Sequence, residues 1–419
     1  MKYVKSLICI NCGKEYKAKA DRYLCPDCGE KGLLDVQYNY QKIRKNWSKE
    51  KLKLKKELNI WRYSPLLPIE DKSPKPNLRI GWTPLYKSKD LAKKIGLNNI
   101  FIKDDGLNPT GSLKDRASAI AAVKAAEFNS NVVACSSTGN AASSLAGNIA
   151  SIPGNMKAVI FVPERAPEGK VTQLLIYGAE VISVQGSYEE AFYLSEKAID
   201  KWNWYNRNAA INPYLVEGKK TAVLEIAEQL NWNMPNWLVF SVGDGCTIAG
   251  AWKGLYDLKQ IGFINKVPKL LGVQAEGCAP ITEVFRTGND LKVTDEETLA
   301  DSIAVGKPRN YKKAINGIKD SNGEMINVSD AEILDMMKIL GRETGIFGEP
   351  AGVAGLAGLK KMIEKGEIAE TETAVSVITG NGLKDVKNAV KAAGKPIEVG
   401  PDLAKLTKIF EEKNQFNNN

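Results

Sequence analysis

Asn108-Pro109-Thr110-Gly111-Ser112-Leu113-Lys114-Asp115-Arg116-Ala117 is the stretch on which the reading of this chain turns. The turn formers Asn108 to Gly111 separate a short apolar run, Ile100-Phe101-Ile102, from an alanine-rich segment, Ala117 to Glu127, that holds no proline or glycine. The run reads as a buried strand and the segment as a helix, with Ser112 as its cap. Lys114 then sits at a strand-to-helix junction. In open α/β sheets that edge is where ligands bind, and a lysine amine there can form a Schiff base, the activation used by pyridoxal phosphate enzymes. A single lysine so placed also reads as a solvated residue in the first turn of a surface helix. The rest of the chain decides between the two.

Working outward, 419 residues can bury a sizeable core and are expected to hold two or more domains. Apolar residues make up 43% and charged residues 26%, which fits a soluble globular enzyme and excludes a disordered chain. The net charge of +9 is spread along the chain with no basic block, so anionic small molecules are expected as partners, and nucleic acid is not. No apolar run is long enough to span a bilayer, and Met1-Lys2-Tyr3-Val4-Lys5 leads to no signal-peptide core; no membrane contact and a cytoplasmic location are expected. The sequence has no histidine, which excludes Ser-His-Asp and Cys-His catalysis and every His-ligated metal. The chemistry must come from lysine, carboxylates, hydroxyls or a cofactor.

Four of the seven cysteines form two knuckles, Cys9-Ile10-Asn11-Cys12 and Cys25-Pro26-Asp27-Cys28, each followed by glycine. Four thiolates on two tight turns can close a tetrahedral structural Zn²⁺ site with no open position. The other three, Cys135, Cys246 and Cys278, are scattered and make no disulfide framework. From Tyr40 to Leu58 the lysine-rich pattern reads as a helix, and Pro65, Pro68, Pro74 and Pro76 as an irregular linker. Beyond Trp82 short apolar runs (Val132–Cys135, Ala158–Val162, Val181–Val184, Leu238–Val242, Leu270–Gln274, Ala374–Ile378) alternate with helical patterns such as Thr221–Leu230 and Ala331–Arg342. Such alternation predicts parallel sheets covered by helices, an α/β fold. The polar tail from Glu411 to Asn419 is expected to fray.

Three further loops follow predicted strands. Ser136-Ser137-Thr138-Gly139-Asn140 precedes an Ala/Ser-rich helix and can hold a carboxylate at its N-terminus. Gly243-Asp244-Gly245-Cys246-Thr247 has the glycines to close a backbone around a phosphate, with Thr247 adding a hydroxyl. Its spacing departs from the dinucleotide and Walker patterns. Thr379-Gly380-Asn381-Gly382 puts a hydroxyl at the same sheet edge. Each loop alone reads as a plain turn; four at successive strand ends point to a site.

Taken in order, the Lys114 motif, Ser137-Thr138-Gly139-Asn140, the Gly243–Gly245 loop and Thr379-Gly380-Asn381-Gly382-Leu383-Lys384-Asp385 resemble the threonine synthase family. The resemblance runs from about Trp82 to about Val390, and the cysteine knuckles are similar to a ribbon found ahead of some members. It implies a pyridoxal phosphate enzyme of fold type II: two parallel-sheet α/β domains preceded by a small zinc ribbon with four cysteine ligands. The expected division is a ribbon over 1–34, a connecting helix and linker over 35–80, a large cofactor-binding domain over 81–125 and 206–400, a small domain over 126–205 and a tail over 401–419. By the resemblance Lys114 holds the cofactor and then acts as the base. Asn140 bonds the cofactor's phenolic oxygen, and Ser137, Thr138 and Gly139 hold the substrate carboxylate. Gly243, Asp244, Gly245, Cys246 and Thr247 line the phosphate cup, and Thr379 faces the ring nitrogen. A small amino acid as substrate, a homodimer, pyridoxal 5'-phosphate and a structural zinc complete the expectation.

Some positions depart from that family's pattern. Leu215 stands where an arginine is usual, Ala209, Ala210 and Ala141 where polar residues are usual, Asp244 for an asparagine and Asn381 for a histidine. If Leu215 and Asp244 line the distal pocket, a substrate phosphate lacks a cation and meets a carboxylate. The expected reaction is elimination of phosphate from O-phosphohomoserine with water addition to give L-threonine. The alternative is an ammonia-lyase, dehydratase or β-replacement enzyme acting on unphosphorylated threonine, serine or 2,3-diaminopropionate. A non-catalytic, nucleic-acid-binding ribbon protein is the third reading. Arg207, Lys219 and Lys220 lie close in sequence as candidate cations.

Overall fold

The computed structural model describes residues 1–19, 22–166, 168–208 and 210–412. At the N-terminus β1 (Val4–Cys9), β2 (Glu15–Tyr16) and β3 (Leu34–Tyr38) pair antiparallel in the order β2-β1-β3. In β3 the residues Leu34, Val36 and Tyr38 are buried while Asp35 and Gln37 between them are partly exposed, the period of a half-buried strand. That strand carries the ribbon's sheet past residue 34, the expected boundary. The helix expected over Tyr40–Leu58 is two short ones, α1 (Tyr40–Asn46) and α2 (Lys49–Lys53). Ser48 divides them: its backbone is extended and its side chain accepts the Lys51 N–H, a fresh N-cap. The proline-bearing stretch after them is packed, with Ile60, Tyr63 and Leu66 fully buried in a 3-10 turn.

From Leu85 strands and helices alternate as predicted. β4 (Leu85–Lys87), α3 (Lys89–Ile95), β5 (Asn99–Asp104) and α4 (Lys114–Glu127) come first. Then come β6 (Val132–Ser136), α5 (Asn140–Ser151), β7 (Lys157–Pro163), α6 (Glu168–Ile176), β8 (Glu180–Val184), α7 (Tyr188–Trp202) and β9 (Tyr205–Asn206). They are followed by α8 (Tyr214–Lys219), α9 (Thr221–Gln229), β10 (Trp237–Ser241), α10 (Cys246–Gln260), β11 (Lys269–Ala275), α11 (Pro280–Thr287), α12 (Tyr311–Asp320) and β12 (Glu324–Val328). The chain ends with α13 (Asp330–Thr344), α14 (Pro350–Glu364), β13 (Thr373–Ile378), α15 (Val386–Ala393) and α16 (Leu403–Glu412). Because α16 runs to Glu412, the tail expected to fray from Glu411 begins inside a helix; the later residues lie outside the described ones.

Two sheets carry the architecture. One has six strands in the order β12-β11-β10-β13-β5-β4, parallel except for β4; the other has four parallel strands, β8-β7-β6-β9. The smaller sheet takes its strands from between β5 and β10, so it interrupts the larger one in sequence. β10 is buried along its whole length: Leu238 and Phe240 enter one core with Leu255 and Ile318, while Trp237 and Val239 enter another with Leu340 and Leu356. Both faces are covered, as a parallel sheet requires. β5 and β13 are adjacent and in register up to Asp104 and Ile378, so the loops leaving them meet.

Candidate active site

That meeting is made by backbone. Leu113 N–H donates to the Thr379 carbonyl at 2.9 Å, Asn381 N–H donates to the Gly111 carbonyl at 3.0 Å, and Ser112 pairs with Gly380 as a β-bridge. Ser112 is therefore spent on the bridge and does not cap α4; Leu113 holds the N-cap position, already helical, and the Ser112 hydroxyl is buried with no partner among the described residues. The turn is closed instead by Asp115, which accepts from Thr110 N–H and Thr110 Oγ1 at 2.8 Å each and from Asn148 Nδ2 at 3.0 Å. Gly111 supplies the left-handed backbone this needs, with φ +84°. Burial raises the Asp115 carboxyl to about 6.

Behind the turn Arg116, fully buried, takes Asp105 at 2.7 Å through both Nε and Nη2 and Glu225 at 2.5 and 2.8 Å. Lys103 completes the set on Glu225 at 2.7 Å. Lys114, two residues before Arg116, is half-buried at the other side. Its amine is lowered to about 8 by burial first and then by the charges of Lys219 and Arg207, with Cys246 and Glu349 acting in the opposite sense. A lysine held near neutrality in this way is fit to act as a nucleophile or base.

The other loops stand at the carboxyl ends of β6, β10 and β13. Ser137 N–H donates to Phe161 O at 3.1 Å and its Oγ accepts the Gly139 N–H at 3.2 Å, while Thr138 and Gly139 stay partly exposed on the way into α5. Asn140 is buried; its Nδ2 donates to Glu349 Oε1 at 2.7 Å and makes only a 3.5 Å contact with Ser302 Oγ. In the glycine loop a Cβ on Gly243 would meet Ile303 Cα at 2.9 Å, and Gly245 has φ +87° with the Asn310 carbonyl 3.1 Å from where its Cβ would lie. Neither position takes a side chain. Cys246 and Thr247 open α10, and burial raises the Cys246 thiol to about 11, so it is neutral. Asp244 Oδ1 accepts the Arg309 N–H at 2.6 Å, and the Asp244 carbonyl accepts the Asn310 N–H at 3.2 Å. Its carboxylate thus ties the loop to the start of α12. Thr379, half-buried, follows β13 directly.

Other placements differ from the sequence reading. Leu215 is 2% exposed and packs among Ala117, Ala121 and Leu145, so it belongs to an apolar core. Lys220 turns into a buried network, bonded to Glu217 and to Asp257. Ala210 is buried with φ +67°, and Ala209 lies outside the described residues. Arg207 and Lys219 are the two of the three candidate cations that bear on Lys114. Arg207 reaches Ser118 Oγ through Nε and Nη2 at 3.1 and 3.0 Å. Sequence reasoning did not single out Glu349. It stands 4% exposed at the N-cap position of α14, its carboxyl raised to about 7 by burial against the pull of Lys114 and Lys384. The signal was there in Gly348-Glu349-Pro350, a helix start one strand-and-helix unit before β13. Lys384 bonds Ser143 Oγ at 2.9 Å and Gln173 Oε1 at 3.0 Å, linking the loop after β13 to α5 and α6.

In the N-terminal ribbon the ligand atoms of Cys9, Cys12, Cys25 and Cys28 all lie within 4.8 Å of one another, and Cys12 and Cys25 Sγ are 3.8 Å apart. Tetrahedral sulfur ligands about 2.3 Å from a zinc would stand roughly that far apart. Asn11 N–H and Nδ2 each approach a thiol sulfur at 3.4 Å, the donors a thiolate cluster needs. Among the described residues no helix is long and apolar enough to cross a membrane.

A family model described as pyridoxal-phosphate dependent enzyme matches residues 77–380. A protein of Methanocaldococcus jannaschii named threonine synthase is 39% identical over 407 residues, 96% of this chain and 99% of that one. A threonine synthase of Methanosarcina acetivorans is 39% identical over 95% of this chain and 96% of its own. Among solved structures, diaminopropionate ammonia lyase from Escherichia coli matches with a TM-score of 0.63 at 20% identity over 74% of this chain and 87% of that one. A tomato threonine deaminase isoform matches with a TM-score of 0.61 at 24% identity, covering 75% and 88% of the two chains. These two show the fold. A half-buried lysine with a lowered amine at the sheet edge, a glycine loop on a helix N-terminus and these similarities converge: the chain belongs to the pyridoxal-phosphate dependent enzymes of fold type II, as a lyase of the threonine synthase family.

Proposed function

We propose that this enzyme is a threonine synthase, removing phosphate from O-phosphohomoserine and adding water to give L-threonine. The observation that carries the reading is 39% identity to a named threonine synthase along 99% of that protein's length. Bound at Lys114, pyridoxal phosphate would supply an electron sink for the negative charge that develops on the substrate. Lys114 Nζ, lowered to about 8, takes the proton from the substrate's α-carbon and returns protons later in the cycle. Ser137, Thr138 and Gly139, ahead of the α5 N-terminus, receive the substrate carboxylate. Asn140 is oriented by Glu349, and its other Nδ2 hydrogen, held only by a 3.5 Å contact with Ser302 Oγ, turns to the cofactor's phenolic oxygen. Gly243, Asp244, Gly245, Cys246 and Thr247 frame the phosphate cup, and Thr379 offers a neutral hydroxyl to the ring nitrogen.

Arg207 and Lys219 make the surroundings of Lys114 cationic, which suits a reaction in which two phosphates are held. Neither feature that suggested an unphosphorylated substrate now argues for one: Leu215 is a core residue, and Asp244 is occupied with backbone. The four ribbon cysteines hold, in this reading, one structural zinc in a closed site. The test is to supply O-phosphohomoserine, threonine and serine separately and to follow phosphate and ammonia. Phosphate release with threonine formation is expected; ammonia from threonine or serine without phosphate turnover would replace the reading with an ammonia-lyase.

A further inference from the structure

Lys219 is 4% exposed at the end of α8, yet among the described residues its ammonium meets no carboxylate and no hydrogen-bond acceptor. Its neighbour Lys220 shows what the protein does with a buried lysine it needs for structure: two carboxylates, Glu217 and Asp257, meet it. Its Nζ is not among the fully buried unpartnered atoms, so the ammonium has an opening in which an anion arriving from outside can meet it.

Where Lys219 stands identifies that anion. α8 crosses α10 in its first turns, and a Cβ on Gly250 would lie 3.1 Å from Lys219 Cβ. Gly250 is in the first turn and a half of α10, the helix whose free N–H groups open toward Gly243-Asp244-Gly245. The charge of Lys219 acts on Cys246 and Asp244 as well as on Lys114, so it lies near both the cup and the catalytic amine. Asp244 feels the charge of Lys219 without forming an ion pair with it, and its Oδ1 accepts the Arg309 N–H. We propose that Lys219 is the cationic ligand of the cofactor's phosphate, closing the cup that the glycine loop and the α10 N-terminus begin.

The proposal rests on the cofactor and not on the identity of the substrate, so its failure and that of the threonine synthase reading are separate events. Apoprotein is titrated with pyridoxal phosphate and with pyridoxal, which lacks the phosphate, for wild type, Lys219→Met and Lys219→Arg. Lys219→Met should weaken pyridoxal phosphate about ten- to a hundredfold and leave pyridoxal unchanged, while Lys219→Arg should stay near wild type. Apo Lys219→Met should unfold at no lower a temperature than apo wild type, because among the described residues no ion pair of the ammonium is lost. Equal weakening of both ligands, or a less stable apo variant, would make Lys219 structural and overturn the proposal. Unchanged pyridoxal phosphate affinity with a raised KM for a phosphorylated substrate would overturn it too, moving Lys219 to the substrate.

Discussion

Glu349→Gln tests the electrostatics of the site most directly. The side chain is 4% exposed and its carboxyl is raised from the ordinary 4.5 to about 7, with burial the largest cause. Gln keeps an oxygen to accept from Asn140 Nδ2 but cannot ionise, so the variant removes the titration and keeps the hydrogen bond. The folded state holds the Glu349 proton more tightly than the unfolded state, so the native protein binds more protons between these two values and loses stability as pH rises through them. Each pH unit is worth about 1.4 kcal/mol, which gives about 3 kcal/mol over the interval. Below pH 4.5 wild type and Glu349→Gln should be nearly equally stable; above pH 7 the variant should be the more stable by about 3 kcal/mol, roughly 3 °C in Tm for a chain of this size. Asp104 and Asp115, each raised to about 6, shift both proteins alike and cancel in the difference. The assay is thermal unfolding of both apoproteins from pH 4 to 8. A difference that does not change with pH would refute the account of Glu349.

Lys114→Ala should abolish the visible absorbance of the lysine-linked cofactor together with catalysis, with unchanged circular dichroism; a coloured, active variant would remove Lys114 from its role. Leu215→Arg should cost about 3 kcal/mol or more by burying a guanidinium among Ala117, Ala121 and Leu145, read as a lower denaturant midpoint, with no gain in kcat/KM for a phosphorylated substrate. A faster and equally stable variant would put position 215 in the pocket. Lys384→Met should raise KM about tenfold by freeing the loop after β13 from Ser143 and Gln173, with apoprotein stability little changed. Metal removal by a chelator should loosen the ribbon and speed cofactor release, because Tyr38 and Tyr40 hydroxyls bond Glu217 and Asp257 at 2.5 and 2.7 Å; elemental analysis and absorbance follow the two losses.

What the sequence made legible follows from what is local. The strands leading into the site are short apolar runs, and the loops after them carry glycines and hydroxyls, so Lys114, Asn140, the Gly243–Thr247 loop and Thr379 could be ordered along the chain before any contact was known. The cap of α4 could not, because Ser112 is drawn away by a bridge to Gly380, which is remote in sequence. Leu215 was set in the distal pocket through the family resemblance, and position in a family pattern does not say which face of α8 meets the core. Glu349 was missed because its carboxyl is raised by burial, which comes from distant packing, against the bond from Asn140, 209 residues away, that lowers it. Long-range burial decides these assignments; Gly348-Glu349-Pro350 marks a helix start locally but does not mark its burial.

The buried charges divide into two kinds, and their spacing explains how the site is aimed. Arg116 with Asp105, Glu225 and Lys103, and Lys220 and Lys253 with Glu217 and Asp257, are fully paired and remote from solvent. Buried pairs of this kind rarely add stability over apolar packing, so their value here is geometric. Arg116 follows Lys114 by two positions on α4, and residues two apart on a helix point to nearly opposite sides. Fixing Arg116 behind the helix therefore turns Lys114 toward the loops. Lys220 follows Lys219 directly, about a third of a turn further round, and its two carboxylates hold α8 against α10. Among the described residues Lys114 and Lys219 form no ion pair of their own, because the residues beside them carry the anchoring.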